Sequence, residues 1–179
     1  HSVQFIIPMF SSDANYNSQN TLDDFLGQII DLYNNGKFKK VIFYTNKYLE
    51  IHPPSHELYN ILGITYNKLN NNKLAFDSYS NAINIEPNFA VSYFNLGLLF
   101  HERNSLERAI ENYKKAISLN PNYIDAIFNL ANVLKENGQY KRAINVYRSL
   151  LKKDYNHIDT RYNLGLIFKE INSLSSSVF

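Results

Sequence analysis

The sequence predicts an all-α protein, a solenoid of repeated helix pairs, because one step of 34 residues recurs along the chain. Small residues that follow a leucine keep this step, and so do a series of alanines and a series of tyrosines. Self-similarity at one fixed period is typical of stacked supersecondary units, which bury a continuous core only together. The three series are Gly63, Gly97, Ala131 and Gly165; Ala75, Ala109 and Ala143; and Tyr79, Tyr113 and Tyr147.

Composition narrows the class of protein. A chain of 179 residues can bury a substantial core, and a net charge of +2 argues against a surface devoted to nucleic acid. The absence of cysteine excludes disulfides, thiolate metal sites and cysteine nucleophiles. The apolar stretch at 5–10 is far shorter than the ~18 residues of a membrane span and lacks the basic flank of a signal peptide. These features favour a cytoplasmic protein with no nucleic-acid or membrane partner.

The repeat sets the predicted domain boundaries. Residues 1–20 do not fit it, and their polar, turn-rich second half is typical of a linker. We place a helix start at Thr21, whose hydroxyl can cap the helix, with Asp23 and Asp24 in the first turn, where acids favour the helix dipole. The repeat domain is therefore predicted over 21–179, with units at 22–55, 56–89, 90–123, 124–157 and a truncated 158–179.

The third unit shows the predicted helix pair most clearly. Its pattern predicts helices over 91–102 and 106–119, with a break at 103–105. Asn104 lies in this break, where we expect the chain to turn with positive φ, which Asn and Gly tolerate best. Proline after Asn120 ends the second helix, because a residue before proline disfavours the helical conformation. The residues that match Asn104, and that we expect to turn in the same way, are Gly36, Asn70, Gly138 and Asn172.

These units resemble the tetratricopeptide repeat, whose pattern combines bulky, small and proline residues at fixed positions. The second and third units match every signature position, the fourth departs at Leu150 and Tyr155, and the first is degenerate, with Val41, Thr45 and Tyr48 at signature positions. The resemblance implies a right-handed α-solenoid of antiparallel helix pairs whose first helices line the concave side. The signature residues of the third unit are Tyr93, Leu96, Gly97, Phe100, Ala109, Tyr113, Ala116 and Pro121.

No catalytic constellation stands out in the sequence. The six glycines form no phosphate-binding loop, and no nucleophile elbow is present. His52 and His56 are four residues apart, but two prolines between them prevent a shared helical face, so we interpret them as loop histidines rather than metal ligands. Basic pairs such as Lys114-Lys115 fall on second helices, which favours a solvated outer wall. We therefore predict no enzymatic activity within this chain, no metal and no cofactor.

One face of the first helices carries the candidate ligand surface. With about 100° per residue, positions 2, 6, 9 and 13 of a unit point away from the packed positions 4, 7, 8 and 11. Asparagine recurs at position 6, and its amide can pair with both polar groups of a peptide backbone. The row is similar to the asparagine ladder in the tetratricopeptide arm of O-GlcNAc transferase, which implies a peptide held mainly by its backbone. The alternative is structural or surface asparagine in an Asn-rich chain. The candidates are Asn95, Asn129 and Asn163 at position 6 and Asn132 at position 9.

An aromatic row at position 5 runs beside the asparagines. Packing between repeats is one interpretation of Phe94, Phe128 and Tyr162, and an exposed strip that contacts a ligand is the other. These aromatics replace the lysine of the family's carboxylate clamp, so we do not expect binding of acidic chaperone tails. The groove also carries charges of both signs, which are Asp125 and Asp159 at position 2, Lys135 and Lys169 at position 12, and Glu102, Glu136 and Glu170 at position 13.

Three interpretations of function remain open at this point. The first is a non-catalytic scaffold that binds a peptide or protein segment in its concave groove. The alternative is the N-terminal arm of a longer enzyme, such as a glycosyltransferase or sulfotransferase, because the fifth unit stops partway through its second helix and we expect the natural chain to continue. The third is self-association through uncapped apolar ends near Phe168, Val178 and Phe179.

Overall fold

Antiparallel helix pairs follow one another through residues 22–176, the part of the chain that the computed structural model describes, with side chains to residue 172. Each helix packs mainly on the helices before and after it, so the units stack into a solenoid and the predicted all-α class is confirmed. The predicted linker at 1–20, the Thr21 cap and residues 177–179 lie outside the described residues. The helices are α1 Leu22–Asn34, α2 Phe38–Ile51, α3 His56–Lys68, α4 Asn72–Ile85, α5 Ala90–Glu102, α6 Leu106–Leu119, α7 Ile124–Glu136, α8 Tyr140–Lys153 and α9 Ile158–Ser176.

The turn inside each of the first four units has one backbone geometry. In the third unit α5 ends at Glu102, and Asn104 adopts a φ of 56°. The amide of Ser105 then donates to the carbonyl of Phe100 at 2.9 Å, which closes a Schellman motif and satisfies a carbonyl at the helix end. The predicted left-handed turn is confirmed at four positions, with φ of 68° at Gly36, 57° at Asn70, 56° at Asn104 and 68° at Gly138.

The fifth turn does not form. Helix α9 runs without a break from Ile158 to Ser176, so Asn172 is helical and the predicted turn at that residue is wrong. In the third unit the turn leads into the 14 residues of α6, which pack back on α5. No second helix packs back on α9 within the described residues, and the continued helix satisfies the backbone groups of residues 173–176 with its own hydrogen bonds.

The connection between units is also repeated. Asn120 Oδ1 accepts a hydrogen bond from the amide of Asn122 at 3.1 Å, and Asp154 Oδ1 accepts one from the amide of Asn156 at 3.1 Å. The two residues have nearly the same φ and ψ, −131° and 92° for Asn120 and −129° and 91° for Asp154. Proline follows Asn120, whereas Tyr155 follows Asp154. The side-chain hydrogen bond thus maintains the turn where the family's proline is missing.

Close contact between the two helices of a unit depends on a small residue opposite a large one. A Cβ added at Gly97 would lie 2.5 Å from the ring of Tyr113, and the same approach is 2.4 Å in the second unit. The first unit exchanges the sizes, because Ile29 and Thr45 occupy the matching positions and both are fully buried. A volume-conserving exchange of this kind explains how the degenerate first unit still forms a helix pair.

Candidate functional site

Polar side chains connect neighbouring first helices along one face of the solenoid. Asn67 Nδ2 donates to Glu102 Oε2 at 3.1 Å, and His101 Nε2 lies 2.6 Å from Glu136 Oε2. Both contacts join position 12 of one unit to position 13 of the next, and we call them the rungs. They bring the acids predicted for the groove into contact with the preceding unit, so those acids belong to a surface built from several first helices.

Asn95 is the most buried of the candidate asparagines, with 9% of its surface exposed. Its Nδ2 donates to Asn60 Oδ1 at 2.9 Å, and the hydroxyl of Ser92 donates to the same oxygen at 3.3 Å. Sequence reasoning did not single out Asn60. The available signal was that Asn60 occupies position 5, which is aromatic in the three later units. Asn95 thus links α3 to α5 through a buried polar cluster.

Asn129 has a different environment. It is partly exposed, and its Nδ2 donates to the carbonyl of Asp125, one turn earlier in α7, at 2.8 Å. This bond holds the amide against its own helix. No side chain of another unit is among its hydrogen-bond partners in the described part of the chain, so the Oδ1 atom is available to a ligand.

Asn132 and Asn163 are brought together by the stacking of α7 and α9. Asn163 Nδ2 donates to Asn132 Oδ1 at 3.1 Å, and Lys135 Nζ donates to Asn163 Oδ1 at 3.1 Å. The hydroxyl of Tyr147 also donates to Asn132 Oδ1. These contacts form a polar cluster of three side chains from two units, which we call the asparagine cluster: Asn132, Lys135 and Asn163. The three residues at position 6 therefore lie on one helix face but do not share one hydrogen-bond pattern.

The position 5 aromatics pack inside their own units. The ring centroid of Phe94 lies 5.9 Å from Tyr113 and 4.9 Å from Tyr123, and Phe128 lies 6.2 Å from Tyr147 and 5.0 Å from the ring of His157. Both phenylalanines are half-buried. Tyr162, the third of the row, is 66% exposed. The first two thus support the helix pair and are only partly exposed, whereas Tyr162 is largely exposed.

A cavity of about 510 Å³ lies next to the asparagine cluster. Its walls come from α7, α8 and α9 and carry charges of both signs around one apolar side chain. Within it, the hydroxyl of Tyr140 donates to Glu170 Oε1 at 2.8 Å, and this bond raises the pKa of Tyr140. The cavity offers donors, acceptors and an apolar contact to one ligand segment. Its lining residues are Lys135, Glu136, Tyr140, Leu166, Lys169 and Glu170.

Two of the tyrosines that recur every 34 residues, Tyr113 and Tyr147, lie close to glutamates of this surface. Burial raises the pKa of Tyr113 well above its usual range, and the carboxylates of Glu102 and Glu136 raise it further. Burial and Glu136 have the same effect on the pKa of Tyr147. Both hydroxyls therefore remain protonated donors at neutral pH. That of Tyr147 is used by Asn132, whereas that of Tyr113 has no hydrogen-bond partner among the described residues.

The described residues contain no group of three or more His, Cys, Asp and Glu side chains that could hold a metal ion. His52 stacks on Tyr48 at a centroid distance of 4.0 Å, and His56 meets the ring of Phe89 edge-on at 4.6 Å. None of the described helices is long and apolar enough to cross a membrane.

Solved structures with the same arrangement of helices are numerous. MamA is 24% identical, with 86% of this chain and 86% of that chain covered and a TM-score of 0.74. Pseudomonas aeruginosa pilF is 19% identical, with 84% and 69% covered and a TM-score of 0.75. YrrB, described as a TPR protein with an unusual peptide-binding site, is 19% identical, with 87% and 80% covered and a TM-score of 0.70. Identities this low show a shared fold. A comparison with curated proteins finds no match.

Protein-family comparisons identify the repeat itself. A family described as "TPR repeat" matches residues 97–138 and 131–172, and families described as "Tetratricopeptide repeat" match residues 78–111 and 56–89. Together these matches cover residues 56–172 without a gap, which is more than half of the chain. The likeness to the arm of O-GlcNAc transferase stays a prediction. The chain belongs to the tetratricopeptide repeat family.

Proposed function

We propose that this protein is a non-catalytic scaffold that binds an extended peptide or protein segment along its first helices. The observation that carries the proposal is the asparagine cluster, which opens beside a cavity large enough for part of a peptide. Stacked first helices form a continuous surface, and such a surface suits an extended ligand better than a compact one. YrrB, whose fold is similar, is described as peptide-binding, which supports the choice of ligand class.

The asparagines supply the proposed backbone contacts. A primary amide offers two donors and one carbonyl acceptor, so one Asn can pair with both the N–H and the C=O of an extended strand. Asn129 and Asn163 are partly exposed and have unused polar capacity, and Asn132 adjoins Asn163. Asn95 contributes mainly by fixing α5 on α3 through Asn60.

Side chains around the cluster supply the remaining contacts. Tyr162 gives the ligand an exposed aromatic face, while Phe94 and Phe128 contribute ring edges and hold the helix pairs in place. Lys135 and Glu136 lie at the cavity with opposite charges, so the groove does not select a ligand of one sign. We therefore expect recognition to depend on an extended backbone with modest side-chain preference.

The proposal is tested with a random dodecapeptide library selected on the purified protein, followed by affinity measurements on one enriched peptide. The variant Asn129→Ala/Asn163→Ala removes two amides from the groove. The control Asn81→Ala/Asn145→Ala removes two exposed amides from the second helices α4 and α8. We expect the groove variant to bind at least about tenfold more weakly, because two or more hydrogen bonds of about 1 kcal/mol each are lost.

The control variant should bind within about twofold of the unchanged protein, and the far-UV circular dichroism of both variants should be unaltered. Equal affinities of the two variants, or failure of any peptide to be enriched, would contradict the proposal. Asn95 is left in place because its removal would leave the buried Asn60 without a partner and would confuse binding with stability.

A further inference from the structure

We propose a second binding site, apart from the peptide groove, that holds the carboxylate of an acidic peptide segment. It is a cavity of about 310 Å³ between the second and third units. The start of α4 and the end of α5 form two of its walls, and Arg108 of α6 forms the third. No candidate residue of the peptide groove lines it. The lining residues are Asn72, Lys73, Phe76, Leu99, Phe100, Arg103 and Arg108.

The exposed guanidinium of Arg108 lies over two aromatic rings. Its guanidinium carbon lies 3.9 Å from the ring centroid of Phe100 and 5.9 Å from that of Phe76. Stacking of this kind uses the flat faces of the guanidinium and leaves its N–H groups at the edge free to donate. A guanidinium stacked in this way loses little side-chain freedom when it binds a carboxylate with two parallel hydrogen bonds.

The charges around the cavity are of one sign. Lys73, Arg103 and Arg108 line it, and no carboxylate does. In the described part of the chain, none of the three cations forms an ion pair with an acid. Because the whole chain carries a net charge of only +2, three unpaired cations at one cavity are a strong local excess. That excess favours an anionic ligand.

The same place in the next unit is built differently. Glu107 stands where Lys73 stands one unit earlier, and it accepts a hydrogen bond from Asn137 Nδ2 at 3.4 Å. Ile110 replaces Phe76. The cationic and aromatic character is therefore a property of one junction and not of the repeat.

The exposed aromatic ring in the cavity favours a peptide segment over a simple anion as the ligand. Phe76 is 37% exposed beside the cations, so it offers apolar contact next to the charged edge. A glutamate or aspartate followed or preceded by an aromatic or aliphatic side chain satisfies both features. An inorganic anion would use only the charge.

The test uses two labelled heptapeptides and fluorescence anisotropy at about 0.15 M salt. At this concentration, salt screens long-range attraction between exposed charges. One peptide has two glutamates around a phenylalanine, and the other has glutamines in their place. The variant Lys73→Gln/Arg108→Gln removes the site. The control Lys141→Gln/Arg142→Gln changes the same repeat positions and the same net charge in α8.

We expect the acidic peptide to bind at least about tenfold more tightly than the glutamine peptide, because hydrogen bonds to a charged carboxylate are about twice as strong as neutral ones. The site variant should abolish that preference, and the α8 control should keep it. Arg108→Lys, which preserves the charge and loses the planar fork, should fall between the two. If both peptides bind equally, or if the two double variants weaken binding equally, the site does not exist.

Thermal unfolding separates loss of the site from loss of the fold. If Lys73→Gln/Arg108→Gln lowers the melting temperature markedly, Arg103→Gln replaces it in the comparison, because Arg103 lines the cavity and makes no cation–π contact with the two rings in the described part of the chain. The groove variant Asn129→Ala/Asn163→Ala should retain the acidic-peptide preference. With that result, the two proposals can be judged separately, because loss of binding in the groove leaves binding at this site intact.

Discussion

The first helices of the third and fifth units carry the same leucine, glycine and phenylalanine at positions 7, 8 and 11, but these residues have different surroundings. Gly97 lies against the ring of Tyr113, whereas a Cβ at Gly165 would meet no described residue within 4 Å. Phe100 is 7% exposed and Phe168 is 44% exposed, although both occupy position 11. The chain turns at Asn104 and continues as helix through Asn172. Matching residues on the first helix are thus not sufficient to form the turn.

The difference identifies the second helix as the element that completes a unit. In the third unit α6 covers the small residue and the aromatic residue of α5 and positions the turn between them. In the fifth unit the same face of α9 lacks this cover in the described part of the chain. A tetratricopeptide signature therefore describes an interface between two helices, and one helix alone behaves as an ordinary amphipathic helix.

The largest expected contrast is between the two phenylalanines at position 11. Phe100→Ala should reduce the free energy of unfolding by about 3–5 kcal/mol, because it opens a cavity in the core. Phe168→Ala should cost about 1 kcal/mol, because nearly half of the side chain is already exposed to water. Urea unfolding followed by circular dichroism measures both. Similar losses in the two variants would mean that the face of α9 is covered in solution.

The glycines at position 8 give the next contrast. Gly97→Ala should reduce the free energy of unfolding by about 1–3 kcal/mol, because the added methyl overlaps a packed tyrosine ring. Gly165→Ala should stabilise the protein by up to about 1 kcal/mol, because alanine is the better helix former and space is available. The same urea titration applies. A stabilising effect at Gly97 would show that Tyr113 moves aside easily, as the native Ala131 suggests a ring can at the matching position.

The smallest contrast concerns the turn residues. Asn104→Ala should cost about 1–2 kcal/mol, because alanine must adopt positive φ, and Asn104→Gly should not incur this cost. Asn172→Ala should avoid that penalty, because helical φ suits alanine. Melting temperatures of the three variants test the order. A clear loss on Asn172→Ala would indicate that this residue turns in solution.

Much of the fold could be predicted from the sequence, because closely packed helices require small and large residues at fixed positions. Residues like Gly97 and Tyr113 recur every 34 residues and indicate a repeated contact between two helices. The recurrence of residues like Asn104 indicates a repeated turn. Asn172 could not be predicted correctly by the same reasoning. The conformation of Asn172 depends on whether a second helix packs on α9, and the residues near Asn172 do not determine this.

The candidate groove was less predictable than the fold. The helical angle places Asn95, Asn129 and Asn163 on one face, but it contains no information about their hydrogen-bond partners. Asn95 is buried because of Asn60, which lies 35 residues earlier in the chain. Arg108 was not distinguishable from other surface cations, since its stacking depends on Phe76 and Phe100 in two other helices.

The way in which the helices stack has a mechanical consequence. Helices pack within a unit or on the adjacent unit, so a pull on the two ends is carried by the interfaces in series. The rungs cross two of these interfaces between first helices and resist separation of the helices there. The buried side chains form two groups, one from Phe25 to Leu58 and one from Ala75 to Ile167, so the core does not run continuously through the array. The resistance of the array to stretching therefore varies along its length.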